Sequence, residues 1–310
     1  NSTLYRAHPD WVLGPTDQLL GRKQMVLNMG LQEVSEYLFN SIAALLRKYD
    51  ITYIKWDHNR VLPISDADQT RASYALLARL QIDFPHVEIE TCASGGGRID
   101  FGILNHTQRV WLSDSNDALE RSRIQHGAAL FLPSAVTGSH VGPRQCHTTG
   151  RVFNMEYRAW VAAQRHMGFE MDPSEISDLE TQTLSDITQW YKDNRKWMMH
   201  ADILRLDSSD PSVIAEMQLA RDRSRFVVFS NQLKTSAQIN PQPLRLTQLD
   251  PDDTYIVELK NRGAIHKLSL GNPLLKSRKL QISGAWLMAH GLNLPYTMPS
   301  SIWVVEGHKL

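Results

Sequence analysis

The chain has 310 residues, of which 42% are hydrophobic, and its 33 Lys and Arg balance its 33 Asp and Glu. That length favours about two domains, or one large barrel with an appendage. A net charge of zero without a basic block argues against nucleic acid or a membrane surface as a partner. Cys92 and Cys146 are too few for a disulfide scaffold, so a reducing compartment, the cytoplasm, is expected.

No targeting signal is visible at the start of the sequence. No apolar run approaches the roughly 18–20 residues of a transmembrane helix. The first residues, NSTLYRAHPDW, lack the basic head and apolar core of a signal peptide. Because the chain begins with Asn rather than Met, we expect a fragment or a processed form whose true N-terminal sequence has been lost.

From about residue 32 to residue 206, strand-like runs alternate with helical patterns. Helices are predicted at residues 34–46, 72–80, 118–129 and 155–165, and after the capping-box pair Ser177 and Glu180. Strands are predicted at residues 51–56, 87–92, 109–112, 134–141 and 168–171. This alternation implies parallel strands with crossover helices, in a doubly wound sheet or a β/α barrel. No strand precedes a dinucleotide-binding fingerprint, which favours the barrel.

After Ser208 the pattern changes to short strands separated by Pro, Gly, Asn and Asp turns. These strands are predicted at residues 226–229, 244–249, 255–259, 282–288 and 301–305. The expected fold class is therefore α/β, with a β/α barrel favoured over residues 1–208 and a small antiparallel β domain over residues 209–310. The segment 208–211, SSDP, is the predicted joint.

The segment IKWDHNR places Lys55, Asp57 and Asn59 two residues apart, so that on a strand they face the same way. An ammonium beside a carboxylate lowers the carboxylate pKa and keeps the group ionised, which suits a nucleophile. A structural Lys–Asp ion pair at a barrel rim explains the same residues equally well. A Schiff-base role for Lys55 is disfavoured, because the neighbouring carboxylate stabilises the charged ammonium.

The segment CASGGGRID follows a predicted strand and begins at Cys92. Its glycines let the backbone approach a ligand closely, or form no more than a flexible turn. The segment lacks the Gly-Lys-Ser/Thr ending of a phosphate-binding loop. No His lies near Cys92 in the sequence, so a small thiol lining a pocket is favoured over a nucleophile.

The segment WLSDSNDALE contains two acids in different positions. Asp117 directly precedes a predicted helix and is expected to be its N-cap. Asp114 lies at a strand end and is the better partner for Asp57, because functional groups of a barrel collect at the carboxyl ends of its strands. Two such carboxylates are what glycoside hydrolysis requires.

Other candidates are weaker. Cys146 and His147 lack the second pair of ligands that a metal site needs, so no metal is expected. His140 and His147 are expected to be hydrogen-bonded histidines or to lie at a pocket edge. Trp56 and Trp111, next to the two candidate carboxylates, are the tryptophans that we would test for stacking against a sugar, although most tryptophans are core residues.

Taken in order, these three motifs resemble glycoside hydrolase family 36, the bacterial α-galactosidases. The similarity runs from LYRAHPDWVL and GRKQMVLN near the start to SGAWLMAHGLNLP near the end. The resemblance implies a partial (β/α)8 barrel that lacks its first strands, followed by an antiparallel β-sandwich domain. It also implies a nucleophile at Asp57 on the fourth barrel strand and a general acid/base at Asp114 on the sixth. The galactose-binding positions that it implies are Arg22, Lys55, Asn59, Cys92 and Gly95. His58 departs from the Met of many members, which leaves acceptor preference in doubt.

The activity implied is that of a retaining α-galactosidase acting on oligosaccharides such as melibiose and raffinose, without a cofactor. A covalent galactosyl-enzyme is implied, with the two carboxyl groups about 5–6 Å apart. The full-length enzyme is expected to be a homo-oligomer. Three alternatives stay open: an α-N-acetylgalactosaminidase, a galactosyl-transferring relative, and a non-catalytic sugar-binding fragment. Room for an acetamido group near Cys92 and Gly95 would decide the first.

The resemblance also predicts the behaviour of the isolated chain. Family members carry an N-terminal β-sandwich and early barrel strands, whose acids bind galactose hydroxyls, before the segment that Asn1 begins here. We therefore expect the isolated 310 residues to be inactive or very weak, because half of the sugar-binding residues are missing. Measurable hydrolysis of p-nitrophenyl α-galactoside by this chain would contradict that expectation.

Overall fold

The computed structural model describes residues 2–64, 67–238 and 242–310. The chain divides into two compact units, one ending at Asp114 and the other beginning at Ser115. Each unit contains parallel strands connected by helices, and the second also contains an antiparallel sheet.

The first unit contains three helices and a three-stranded parallel sheet. The helices are α1 (Thr3–Ala7), α2 (Gln32–Lys48) and α3 (Ala67–Asp83), with short 3₁₀ helices at Pro9–Trp11 and Ile103–Asn105. The strands are β1 (Tyr53–Asp57), β2 (Glu88–Cys92) and β3 (Arg109–Val110), in that spatial order. Apolar side chains recurring at helical spacing on α2 and α3 pack with the sheet into one core, as the sequence predicts.

In the second unit, helices again alternate with parallel strands. These elements are α4 (Ala118–Ala128), β4 (Gly138–Val141), α5 (Met155–Ala162), β5 (His166–Phe169) and α6 (Asp178–Met198). The predicted helix starts are confirmed at two places. Asp117 accepts from the main-chain N–H groups of Leu119 and Glu120, and Ser177 forms a capping box with Glu180. Each cap is worth about 1 kcal/mol.

Six antiparallel strands follow, in the spatial order β10-β9-β11-β8-β7-β6. They are β6 (Asp202–Leu206), β7 (Val213–Leu219), β8 (Arg225–Gln232), β9 (Thr254–Leu259), β10 (Leu280–Ser283) and β11 (Ser301–Lys309), with helix α7 at Gly284–Ala289. On β8, Val227 and Phe229 face the core of α5 and α6, whereas Phe226 and Val228 face a separate core. This alternation is the period of two that buries both faces of a sheet.

Several predicted elements differ from the structure. Residues 244–249 bury Leu244, Leu246 and Leu249, but they make only an isolated bridge to Leu292 rather than a ladder. Of the predicted strand at 282–288, only Ile282 and Ser283 are extended, at the end of β10, because Ser283 caps α7 and the chain is helical from Gly284. Residues Ser134–Val136 form a 3₁₀ helix, so only the second half of the predicted strand 134–141 is extended. Strands β6 and β7 were not predicted.

The predicted joint at 208–211 lies in the turn between β6 and β7, which pair antiparallel. The division of the chain into residues 1–208 and 209–310 stays a prediction. In the described residues, no helix is both long enough and apolar enough to cross a membrane.

A buried ionic network connects the helices of the second unit to its antiparallel sheet. The Glu216 carboxylate on β7 lies 2.7 Å from the Arg165 guanidinium and 3.5 Å from Nδ1 of His126 on α4. Burial alone would raise the pKa of Glu216, but the charge and hydrogen bonds of Arg165, with help from His126, lower it to about 2. The carboxylate is therefore ionised in the folded protein at every pH above that value.

This network predicts acid-sensitive stability. Because the folded pKa of Glu216 is depressed, its stabilisation is fully present above its unfolded pKa and is lost as the pH falls toward 2. We expect Glu216→Gln to lower the free energy of unfolding at pH 7 by about 3–5 kcal/mol, since Arg165 is left buried and unpaired. Denaturant unfolding at a series of pH values from 7 to 2 measures the free energy of unfolding of the wild-type chain and of Glu216→Gln. Glu175→Gln, which changes an exposed glutamate, is the control. Equal pH slopes in the wild-type chain and Glu216→Gln would contradict the assignment.

Candidate active site

Strand β1 presents Lys55 and Asp57 on the same face, as its alternation predicts. Ile54 and Trp56 point the other way and pack against the core of the first unit. In the parallel register with β2, Lys55 is opposite Glu90 and Asp57 is opposite Cys92. The register therefore places a second acid and a thiol beside the two charged groups of β1.

The Asp57 carboxylate is held by hydrogen bonds. Asn59 donates its side-chain amide to Asp57, and Ser94 donates its hydroxyl to Asn59 over 3.2 Å. Partial burial would raise the pKa of Asp57, but hydrogen bonds from Cys92, Asn59 and the His58 main chain, followed by the charge of Lys55, lower it. Asp57 is therefore an ionised carboxylate at neutral pH, as a nucleophile requires.

Cys92 connects Asp57 with Asp114. Cys92 is 1% exposed, it is paired with Asp57 in the register of β1 and β2, and its Sγ lies 3.9 Å from Oδ1 of Asp114. Burial, together with the neighbouring carboxylate of Asp57, raises the pKa of the Cys92 thiol to about 11. Cys92 is consequently a neutral donor to carboxylates at physiological pH, which favours the predicted pocket-lining thiol over a nucleophile.

Asp114 is oriented by Trp111, the residue that directly follows β3. The Trp111 indole N–H donates to Oδ1 of Asp114 over 3.0 Å. Trp111 is 1% exposed, and the Lys55 ammonium lies 4.2 Å from its ring centroid. Its ring face is therefore covered by a side chain of the protein, so Trp111 orients the site and does not offer a platform for stacking a sugar.

The glycine-rich segment packs tightly against the backbone that carries Asp114. Gly95 has a φ of +81°, and a Cβ there would lie 2.8 Å from Cα of Ser113 and 3.0 Å from the Asp114 nitrogen. A Cβ on Gly97 would lie 2.5 Å from the Ala93 carbonyl oxygen. The segment is thus a closely packed turn, and not the flexible turn that its composition alone allows.

Arg98, at the end of the same segment, ties the carboxyl ends of β1 and β2 together. Its guanidinium donates to the carbonyl oxygens of Trp56 over 2.8 Å and of Cys92 over 2.9 Å. A third bond, of 2.9 Å, runs to the Thr91 hydroxyl. The sequence alone predicts no role for this arginine, because both of its carbonyl partners depend on how the strands pair.

Arg22 lies apart from these contacts. It occupies an exposed turn with a φ of 52°, and among the described residues it forms no hydrogen bond or ion pair with the other six predicted site residues. Arg60 anchors the loop that carries this turn, donating to the Gln24 carbonyl over 2.9 Å and to the Gln18 side chain over 3.0 Å. The structure therefore brings together Lys55, Asp57, Asn59, Cys92, Gly95 and Asp114.

Two open clefts flank Asp57 within the first unit. One, of about 640 Å³, extends toward the N-terminal segment around Tyr5 and Met25. The other, of about 600 Å³, extends along the glycine-rich segment toward Tyr74. Both volumes are in the range of cavities that bind small ligands.

The second unit holds the weaker candidates. His140 lies 3.0 Å from the Glu170 carboxylate, through Nδ1, and His147 is exposed. Cys146 is a buried free thiol 3.1 Å from the Thr148 hydroxyl. Within the described ranges, no group of three or more His, Cys, Asp or Glu residues could hold a metal ion.

Comparisons with known proteins cover the whole chain. Residues 1–201 match the Melibiase family, and residues 213–305 match the glycosyl hydrolase family 36 C-terminal domain. The chain is 37% identical to an alpha-galactosidase of Escherichia coli, across 97% of the chain and 45% of that protein. It is 33% identical to alpha-galactosidase AgaA of Geobacillus stearothermophilus, across 83% of the chain and 38% of that protein.

The solved structures agree with the sequence matches. The family 36 alpha-galactosidase AgaB of Geobacillus stearothermophilus superposes on all of this chain with a TM-score of 0.88 and 29% identity, over 43% of that structure. A variant of AgaA in complex with raffinose gives the same three values. The chain thus spans less than half of the proteins that it matches.

The fold and these matches place the chain among the glycoside hydrolases. It belongs to the Melibiase family, and its second part matches the C-terminal domain of family 36. The predicted fold class, a β/α barrel region followed by an antiparallel β domain, is confirmed. In the described residues the antiparallel strands form one six-stranded sheet, whose edge strand β6 precedes residue 209.

The hydrogen bond from Asn59 is expected to help keep the Asp57 carboxyl ionised. Asn59→Ala removes a donor that favours the ionised carboxylate, so we expect the pKa of Asp57 to rise toward its ordinary value. Carboxyl ¹³C NMR titration measures this directly, and the acid limb of kcat/KM moves to higher pH in an active protein. Asn105→Ala, on an exposed asparagine of the same unit, is the control. An unchanged Asp57 titration would show that Asn59 does not tune the carboxylate.

Proposed function

We propose that the intact gene product is a retaining α-galactosidase that removes terminal α-linked galactose from oligosaccharides such as melibiose and raffinose. One observation carries the proposal: Asp57, at the end of β1, is paired with Cys92 on β2, and Asp114, in the loop after β3, lies 3.9 Å from the Sγ of that buried thiol. Two carboxylates this close to one group can flank a single scissile bond. The relatives named alpha-galactosidase and the AgaA variant bound to raffinose support the substrate class.

The first half of the proposed reaction transfers galactose to the protein. A carboxylate oxygen of Asp57 attacks the anomeric carbon while the bond to the leaving-group oxygen breaks. Asp114 donates a proton to that oxygen, so the aglycone leaves as a neutral alcohol. The low pKa of Asp57 supports the nucleophile role, because the attacking carboxylate carries its charge at neutral pH.

The second half of the proposed reaction releases galactose, with Asp114 acting as a base and Asp57 as the leaving group. Asp114, now a carboxylate, takes a proton from water, and the water oxygen bonds to the anomeric carbon as the ester bond to Asp57 breaks. Two displacements at one carbon retain its configuration, which corresponds to carboxyl groups about 5–5.5 Å apart. The Trp111 indole N–H supports this role for Asp114, since it orients the carboxyl group in both protonation states.

Galactose binding is proposed for Arg22, Lys55, Asn59, Cys92 and Gly95. Lys55 and Arg22 carry donors suited to sugar hydroxyls, and the thiol of Cys92 is a neutral donor beside both carboxylates. Asn59 already donates to Asp57, so it serves the nucleophile as well as the sugar.

We further propose that residues 1–208 form the catalytic region and residues 209–310 the C-terminal β domain, which the family matches to residues 1–201 and 213–305 support. Cytoplasmic localisation is proposed on the two free cysteines, Cys92 and Cys146. A homo-oligomer is proposed from the resemblance to the family alone.

The nucleophile is tested by chemical rescue. In the intact gene product, we expect Asp57→Gly to lower kcat for p-nitrophenyl α-galactoside by about 10³-fold or more, because no covalent intermediate can form. Sodium azide occupies the vacated space and restores turnover, giving β-galactosyl azide. Asp50→Gly, on an exposed acid before the amino end of the same strand, is the control and keeps full activity. Undiminished turnover by Asp57→Gly would overturn the role of Asp57.

A further inference from the structure

Glu90 is a buried acid in the middle of β2 that the proposed mechanism does not use. It is 1% exposed, and its Oε1 has no hydrogen-bond partner among the residues that the structure describes. The parallel register places it directly opposite Lys55, and the Lys55 ammonium lies 4.0 Å from Oε1. The carboxylate and the ammonium therefore meet on the face of the sheet that carries Asp57.

Two cations lie opposite Glu90 in the sheet, Lys55 on β1 and Arg109 on β3, and Arg109 forms its ion pair with Glu88. An ionised carboxylate taken out of water is costly unless a cation compensates it, and Lys55 is the cation in ion-pair range. Tyr53, on the same strand face as Lys55, hydrogen-bonds Glu90 through its hydroxyl. Burial, followed by the charge of Glu90, raises the pKa of Tyr53, so this hydroxyl stays a donor.

Lys55 is also held from a second side. Its ammonium lies 4.2 Å from the ring centroid of Trp111, within the range of a cation–π contact. The same indole donates to Asp114 over 3.0 Å. In the described part of the chain, the carboxylate that forms an ion pair with Lys55 is that of Glu90 and not that of Asp57.

We propose, building on the function proposed above, that Glu90 is a positioning residue that acts through Lys55. Its buried carboxylate draws the ammonium inward and holds it against the ring of Trp111. Lys55 thereby keeps a fixed direction in which to donate to a sugar hydroxyl. Without the charge of Glu90, the ammonium leaves this position, and the donor is lost to the substrate.

The strand offers a matched control. Glu88 lies two residues earlier on β2 and faces the same way, but its side chain is 47% exposed and pairs with Arg109. Glu90→Gln and Glu88→Gln are therefore isosteric changes of neighbouring acids, and only the first removes the partner of Lys55.

The kinetic test is a double-mutant cycle in the intact gene product with p-nitrophenyl α-galactoside. We expect Glu90→Gln to raise KM, and the inhibition constant of galactose, about tenfold with kcat changed less than about threefold, as for lost binding common to ground and transition states. Glu88→Gln leaves both constants unchanged. In a Lys55→Met background, Glu90→Gln has no further effect, because it acts through the ammonium. Additive effects, or equal effects of the two glutamine variants, would overturn the proposal.

A spectroscopic test does not depend on activity. Reductive ¹³C-methylation of the lysines gives Lys55 an upfield, ring-current-shifted methyl signal, which is identified by its loss in Lys55→Met. We expect Glu90→Gln to move this signal to the ordinary lysine position and Glu88→Gln to leave it in place. A signal unmoved in Glu90→Gln refutes the positioning role. If the intact protein does not hydrolyse α-galactosides, the proposed function fails, and this signal still decides whether Glu90 positions Lys55.

Discussion

The parallel pairing of β1 with β2 is the constraint on which the site depends. Its register sets Lys55 opposite Glu90 and Asp57 opposite Cys92, so each functional group of β1 has its partner on β2. A slip of one residue would turn the partners to the other face, because side chains alternate along a strand. Arg98 fixes this register at the carboxyl ends, since one guanidinium bonds to the carbonyl oxygens of both strands.

The lowered pKa of Asp57 has a different main cause in the structure from the one that the sequence predicts. A lysine two residues away is enough to predict a lowered pKa, and the direction is correct. In the structure, hydrogen bonds from Cys92 and Asn59 contribute more than Lys55, whose ammonium pairs with Glu90. Hydrogen bonds from neutral groups stabilise the carboxylate without neutralising it by direct contact with a cation, which leaves its charge available to an electrophile.

The features that the sequence predicts correctly are those that depend on residues close together in the chain. The N-cap at Asp117 and the capping box at Ser177 depend on residues within four positions, and both are present. The alternation of Leu244 and Leu246 predicts burial correctly but cannot predict a ladder, because a ladder needs a partner strand and Gln248 turns the chain at a φ of 58°. Arg98 and Glu90 had no signal in the sequence, since their partners lie on a neighbouring strand.

The rigidity of the glycine-rich segment follows from the same close packing. Gly95 and Gly97 bring the turn so near Ser113 and Ala93 that any side chain would collide with backbone. This contact holds Asp114 at a set distance from Cys92, while the indole of Trp111 orients it. The Trp111 indole donates to Asp114, and the face of the same ring contacts the Lys55 ammonium. Trp111 therefore couples Asp114 to Lys55. Direct contacts through one aromatic ring therefore connect Glu90 and Lys55 with Asp114.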